Sequence, residues 1–188
     1  MPERKYLTIE ELIVLLDHDF GPTDNLVFQV GIATGLRASE LTDIRVQHLY
    51  GTYIKIWDEK KDVYRDVVID VITMEKIIRY LQNNYVPLNG VIKRVRRLFN
   101  FSPRTLNRKV GRAFAELGIN APARWHTFRH TYIRMMLDAF GDRSLQFICE
   151  QTGDKPATIL EYYGIPSLND RFTVAVEYHN WLISGGRP

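Results

Sequence analysis

Apolar residues recur at helical spacing along most of the chain and alternate at strand spacing in one place only. Thr8-Ile-Glu-Glu11 has the spacing of a capping box, which predicts a helix opening there and carrying Leu12, Leu15 and Leu16. A second helix is expected from about Asp24 to Ala33 with Gly35 at its end, and a short one from Ala38 to Ile44. Residues 52–57 (TYIKIW) and 63–69 (VYRDVVI) are rich in β-branched and aromatic side chains and flank the polar turn DEKKD, the pattern of a hairpin. Thr73 to Asn83 returns to helical spacing. Ser102 before Pro103 marks another helix start. From there Leu106, Val110, Ala113 and Leu117 keep one apolar face, and Gly118 ends it. Further helices are predicted at about Thr127–Ala139, Arg143–Gln151, Ala157–Tyr163 and Asn169–Ile183. The fold class is therefore mainly α with a small antiparallel β-sheet (α+β). With no repeat, low-complexity segment or long linker, residues 1–188 read as a single domain, with about 168–188 as a C-terminal helix or tail.

Composition narrows the class. The 188 residues include a single cysteine, Cys149, which excludes a disulfide framework or a multi-cysteine zinc site and suits a reducing interior. The uncharged stretches, such as Asn25 to Leu36 with 12 residues and Tyr80 to Ile92 with 13, are too short to span a bilayer. The MPERKY start lacks the apolar run of a signal peptide. A cytoplasmic, globular protein with no membrane partner is expected. Charge is more telling when divided. Residues 1–90 carry a balance of −4 and residues 91–188 a balance of +7. Between Lys93 and Arg112 lie eight basic residues and no acidic one: Lys93, Arg94, Arg96, Arg97, Arg104, Arg108, Lys109 and Arg112. Arg104, Arg108 and Arg112 recur every four residues, a stripe that can track a phosphate backbone.

Three separated patches carry chemistry: Thr34-Gly-Leu-Arg37-Ala-Ser-Glu40-Leu, His126-Thr-Phe-Arg129-His130, and Thr152-Gly153-Asp154 followed by Tyr162 and Tyr163. The order Gly-Leu-Arg-x-x-Glu-Leu, a lysine-bearing hairpin, His-x-x-Arg and a late tyrosine resembles the catalytic domain of the tyrosine recombinase (phage integrase) family. The resemblance runs from Tyr6-Leu-Thr-x-Glu-Glu to the tyrosine, nearly the whole chain. It implies the family's DNA breaking-and-rejoining fold and a site-specific recombinase that works without metal or cofactor on double-stranded DNA. It also implies self-assembly, dimer to tetramer, on that DNA.

The residue types suit that chemistry. Attack on a phosphodiester builds negative charge on the non-bridging oxygens, and two guanidiniums can clamp them with forked hydrogen bonds without losing a proton. Arg37 and Arg129 are the candidates, and Glu40, three residues after Arg37, can hold it in place. His126 projects from the same helical face as Arg129 and can donate to a phosphate oxygen or shuttle a proton. His130 forms an i, i+4 pair with His126, but the Thr-Phe-Arg between them lacks a zinc protease's glutamate, and an arginine repels a cation, so no metal site is assigned. The resemblance implies that a turn lysine, Lys60 or Lys61, protonates the departing 5′ oxygen. It also implies a tyrosine nucleophile that forms a 3′-phosphotyrosine. Tyr163 fits the glycine-to-tyrosine spacing without a gap; Tyr162 fits if one residue is deleted. One departure stands out: Asp154 replaces the histidine (sometimes tryptophan) that commonly follows the glycine, and Lys155 is a possible substitute donor.

Two other readings stay open: a catalytically inert DNA-binding protein of the same fold, which Asp154 favours, and a type IB topoisomerase-like activity. The chain starts near the beginning of the family's catalytic domain. The N-terminal core-binding domain is therefore expected to be absent and DNA binding by these residues to be weak.

Overall fold

A computed structural model describes residues 4–59, 61–84 and 96–164. The chain divides into two compact units, Met1–Tyr132 and Ile133–Pro188. Lys60, Lys93, Arg94 and the expected helix at 169–183 lie outside the described residues.

In the first unit, α1 (Ile9–Asp17), α2 (Pro22–Thr34) and α3 (Ala38–Asp43) lead into a sheet of β1 (Leu49–Tyr50), β2 (Tyr53–Asp58) and β3 (Val63–Val68). Then come α4 (Val71–Asn84), α5 (Pro103–Leu117) and the start of α6 (His126–Phe140). The strands are antiparallel in the order β1-β2-β3, and β2 faces β3 from Tyr53↔Val68 to Asp58↔Val63. The second unit holds the end of α6, then α7 (Leu145–Thr152) and α8 (Pro156–Tyr163). The mainly helical fold with a small antiparallel sheet is as expected.

The caps explain where the helices begin. Thr8 Oγ1 accepts from the Glu11 amide at 3.2 Å while Glu11 Oε2 accepts from the Thr8 amide at 2.9 Å, a complete capping box. Ser102 Oγ accepts from the Thr105 amide at 3.1 Å to open α5. Leu12 and Leu15 are buried, but Leu16 is exposed and does not belong to the core face of α1. On α5, Leu106, Val110 and Ala113 are buried as expected, and Phe114 joins them. Strand β1 has only two residues, too few for an alternation to register. Asp58, which reads as turn in the sequence, is the buried last residue of β2.

The core of this unit is a continuous apolar cluster in which Phe28, Phe114, Trp125 and Phe128 pack from α2, α5 and the start of α6. Phe28 and Phe128 meet edge to face at 5.6 Å between ring centroids, and Trp125 and Phe128 at 5.1 Å. A Cβ at Gly31 would lie 2.5 Å from Trp125 Cη2, so the absence of a side chain there lets the indole lie against α2.

Candidate active site

Arg37 is the residue just before α3, in extended conformation. Its backbone N–H donates to Glu40 Oε2 at 2.8 Å and its Nη1 to Glu40 Oε1 at 3.0 Å. Glu40 thus fixes both ends of Arg37, as the three-residue spacing suggests. The turn before Arg37 is held from α6. Arg129 Nη1 donates to the Gly35 carbonyl at 3.0 Å, across 94 positions of sequence. Trp125 Nε1 donates to the Leu36 carbonyl at 2.8 Å. Gly35 has a left-handed backbone (φ +63°), and a Cβ on it would come 2.7 Å from Tyr132 Cδ1. A glycine is what that turn requires.

These bonds bring the Arg37 turn against the helix that carries His126 and Arg129. His126 is exposed at the start of α6, and its ring meets that of His130 edge to face at 4.4 Å between centroids. Arg129 is 1% exposed.

The hairpin adds a second connection. Arg65 on β3 donates from Nη2 to Glu40 Oε1 at 2.9 Å. Its Nη1 lies 3.9 Å from Asp58 Oδ2. Lys61 Nζ is 4.0 Å from the same Asp58 oxygen. The Asp58 carbonyl also accepts from the amides of Lys61 and Asp62 at 3.1 and 2.9 Å, and Asp62 closes the turn at φ +56°. Glu40 and Asp58 are 8% and 4% exposed, Arg65 is 11% exposed, and Lys61 is 56% exposed. Two buried carboxylates therefore link Arg37, Arg65 and the turn lysine. A cleft of about 430 Å³ opens beside them, with Arg37, Glu40, Trp57, Asp58 and Tyr64 in its lining.

The roles of Asp58, Arg65 and Trp125 in this arrangement escape the sequence reading. Each acts through a tertiary contact, and the only local signal is the β3 position of Arg65.

In the second unit, Gly153 ends α7 in a left-handed conformation, its N–H donating to the Cys149 carbonyl at 2.8 Å. The Asp154 N–H donates to Thr152 Oγ1 at 3.3 Å. Lys155 is the exposed residue before α8, and Pro156 opens that helix. Tyr162 is exposed and Tyr163 half-buried on its last turn.

The basic residues divide by environment. Arg104, Arg108 and Arg112 are exposed along α5. Arg96 and Arg97 are exposed too; the Arg96 carbonyl accepts from the Val46 amide at 3.0 Å, and Arg97 pairs with Asp43 at 3.4 Å. Lys109 instead donates to both oxygens of Asp24 at 2.7 and 2.8 Å and sits over the Phe101 ring, so its charge is used within the fold. Among the described residues no three metal-ligating side chains cluster, and no helix is long and apolar enough to cross a membrane.

Residues 6–155 match the model of the phage integrase family, a stretch that holds Arg37, His126 and Arg129 and stops short of both tyrosines. No curated protein sequence matches the chain. Among solved structures, XerA recombinase is 21% identical with a TM-score of 0.72, over 94% of this chain and 65% of that one. XerH site-specific recombinase bound to its difH substrate is 20% identical with a TM-score of 0.67, over 84% of this chain and 49% of that one. The catalytic domain of bacteriophage HP1 integrase is 23% identical with a TM-score of 0.63, over 94% and 95%. The chain thus spans about half to two thirds of the two Xer chains and nearly all of the HP1 domain. With the family match covering most of its length, the chain belongs to the phage integrase family.

Proposed function

We propose that the two units act together as the catalytic domain of a site-specific DNA recombinase, with Tyr163 as nucleophile. The observation that carries this reading is the bonding of the Gly35–Leu36 carbonyls to Arg129 and Trp125. It ties the Arg37 turn to the helix of the second arginine and of His126. Two permanent cations and an imidazole tied together in this way suit a phosphate whose oxygens gain charge during attack.

In the proposed reaction Arg37 and Arg129 hold the non-bridging oxygens of the scissile phosphate, and His126 donates to one of them. The phenol oxygen of Tyr163 attacks phosphorus, forming a P–O(Tyr) bond as the bond from phosphorus to the 5′ oxygen breaks. The phenolic proton passes to water, and Lys60 or Lys61 gives a proton to the departing 5′ oxygen. Rejoining runs the same steps backwards from a new 5′-hydroxyl, so the bond energy is kept in the phosphotyrosine. Removal of one preorganised donor from such a site costs about 2.7–4 kcal/mol of barrier. Arg104, Arg108 and Arg112 supply sequence-independent contacts to the DNA backbone. The reading requires the guanidinium of Arg129, buried in the free chain, to become accessible on DNA.

The test is covalent capture from a library of randomised duplexes, each nicked so that the short leaving strand diffuses away. A protein–DNA adduct stable to denaturant, lost in Tyr163→Phe, is the expected result. Adduct formation unaffected in both Tyr163→Phe and Tyr162→Phe would overturn the mechanism. Retarded DNA without any adduct would favour the inert binder, for which Asp154 speaks. Relaxation of plasmids lacking a captured site would favour the topoisomerase-like activity.

A further inference from the structure

We infer that Asp58 is a positioning residue for Lys61 of the hairpin, acting through its side chain and its backbone at once. The inference rests on the recombinase reading and adds to it a residue that the motifs do not contain. Asp58 closes β2 with its carboxylate turned into the protein, and Arg65 and Lys61 approach the same oxygen at 3.9 and 4.0 Å. Its carbonyl holds two successive amides of the turn. The charge of the buried Asp58 carboxylate is offset by Arg65 from within the protein and by the exposed Lys61 from the turn, and moving Arg65 away removes the buried one of these cations. Arg65 extends this fixation to Glu40, and Glu40 to Arg37. A lysine among the four residues between β2 and β3 has a long, flexible stem. Proton donation to a leaving oxygen needs that stem confined relative to the phosphate. The Asp58–Arg65–Glu40 chain supplies that confinement, linking the loop that carries the general acid to the arginine that holds the phosphate.

The consequence is specific: Asp58 serves the protonation of the 5′ oxygen and not the clamping of the phosphate. A bridging 5′-phosphorothiolate separates the two, since sulfur leaves as a stable thiolate and needs no proton donor, while clamping of the non-bridging oxygens is still required. The duplex recovered by covalent capture is synthesised with oxygen or with sulfur at that bridging position. Single-turnover adduct formation is then measured for the wild-type chain, Asp58→Asn and Arg65→Lys. Asp58→Asn keeps the shape and removes the charge. It is expected to slow cleavage of the oxygen substrate by about tenfold or more, within the range a positioned general acid supplies, and to cleave the sulfur substrate at close to the wild-type rate. Arg65→Lys, which also loosens the hold of Glu40 on Arg37, is expected to slow both duplexes, the oxygen one more. Asp66→Asn, whose partner Lys55 lies 2.9 Å away on the outer side of the sheet, is the control and keeps wild-type rates on both.

Unchanged cleavage of the oxygen duplex by Asp58→Asn would overturn the inference. So would equal slowing on both duplexes, which is what a general loss of structure or of the arginine clamp produces. If covalent capture with the wild-type chain recovers no duplex at all, the recombinase reading itself falls, a result distinct from both.

Discussion

Replacing Gly35 by alanine tests the turn on which the site is hung. Two costs can be worked from the structure. The backbone there is left-handed, which disfavours an L side chain by about 1–2 kcal/mol. The new Cβ would also stand 2.7 Å from Tyr132 Cδ1 and 3.2 Å from Tyr132 Cβ, an overlap that the ring root cannot yield to without moving α6. Overpacking of that kind costs about 1–3 kcal/mol, so the total is roughly 2–5 kcal/mol. Gly51 supplies the comparison: it too is left-handed, at φ +55°, but a Cβ there meets nothing within 4 Å. Gly51→Ala should therefore cost only about 1–2 kcal/mol. The loss of unfolded-state freedom on going from glycine to alanine applies to both and cancels in the difference. Urea unfolding of the two variants should differ by about 1–3 kcal/mol, or about 2–12 °C in Tm for a chain of this size. Gly35→Ala should also lose adduct formation beyond its loss of stability, because the displaced carbonyl is the one that receives Arg129. Equal destabilisation of the two variants would refute the close contact with Tyr132 and the reasoning built on it.

Other outcomes follow from the same geometry. Trp125→Phe removes the donor to the buried Leu36 carbonyl and should cost about 1–3 kcal/mol in urea unfolding; a change below about 0.5 kcal/mol would show that the bond does not anchor the turn. Arg104→Ala, Arg108→Ala and Arg112→Ala should each lower the dependence of log Kd on log salt by about 0.9, read by fluorescence anisotropy on a random-sequence duplex. An unchanged slope would remove α5 from the DNA surface. Burial holds His48 below its ordinary pKa, the nearby Asp43 opposes this and Arg45 adds to it. The unfolded chain therefore takes up the proton first, and stability falls as pH drops below the unfolded value of about 6.5. His48→Gln should flatten the Tm profile over that acid window; a profile identical to wild type would contradict the assignment.

How much of this was legible in the sequence depends on whether the signal is local. The caps at Thr8 and Ser102 involve residues three apart, and both form as their spacing predicts. The Arg37–Glu40 pair is equally local and forms too. Leu16 reads as core because it is apolar and next to Leu15, yet it falls beyond the buried stripe of α1 and faces solvent. Asp58 reads as turn because it heads a polar run. Its burial depends on Arg65, a partner on the opposite strand that a count of turn residues does not reveal. Lys109 lies in the basic run and differs from its neighbours only through Asp24, 85 positions away. Trp125 gives no sign in the sequence that its indole N–H reaches Leu36, since the pairing exists only after α2 and α6 have packed.

On the recombinase reading a phenol of this chain becomes covalently bound to DNA. Mass-spectrometric peptide mapping of the captured adduct tests it most directly. A nucleotide remnant on Tyr163 is the expected result; a remnant on Tyr162 would move the role by one residue on the same helix turn. A remnant on any other residue, or a captured complex that falls apart on denaturation, would contradict it.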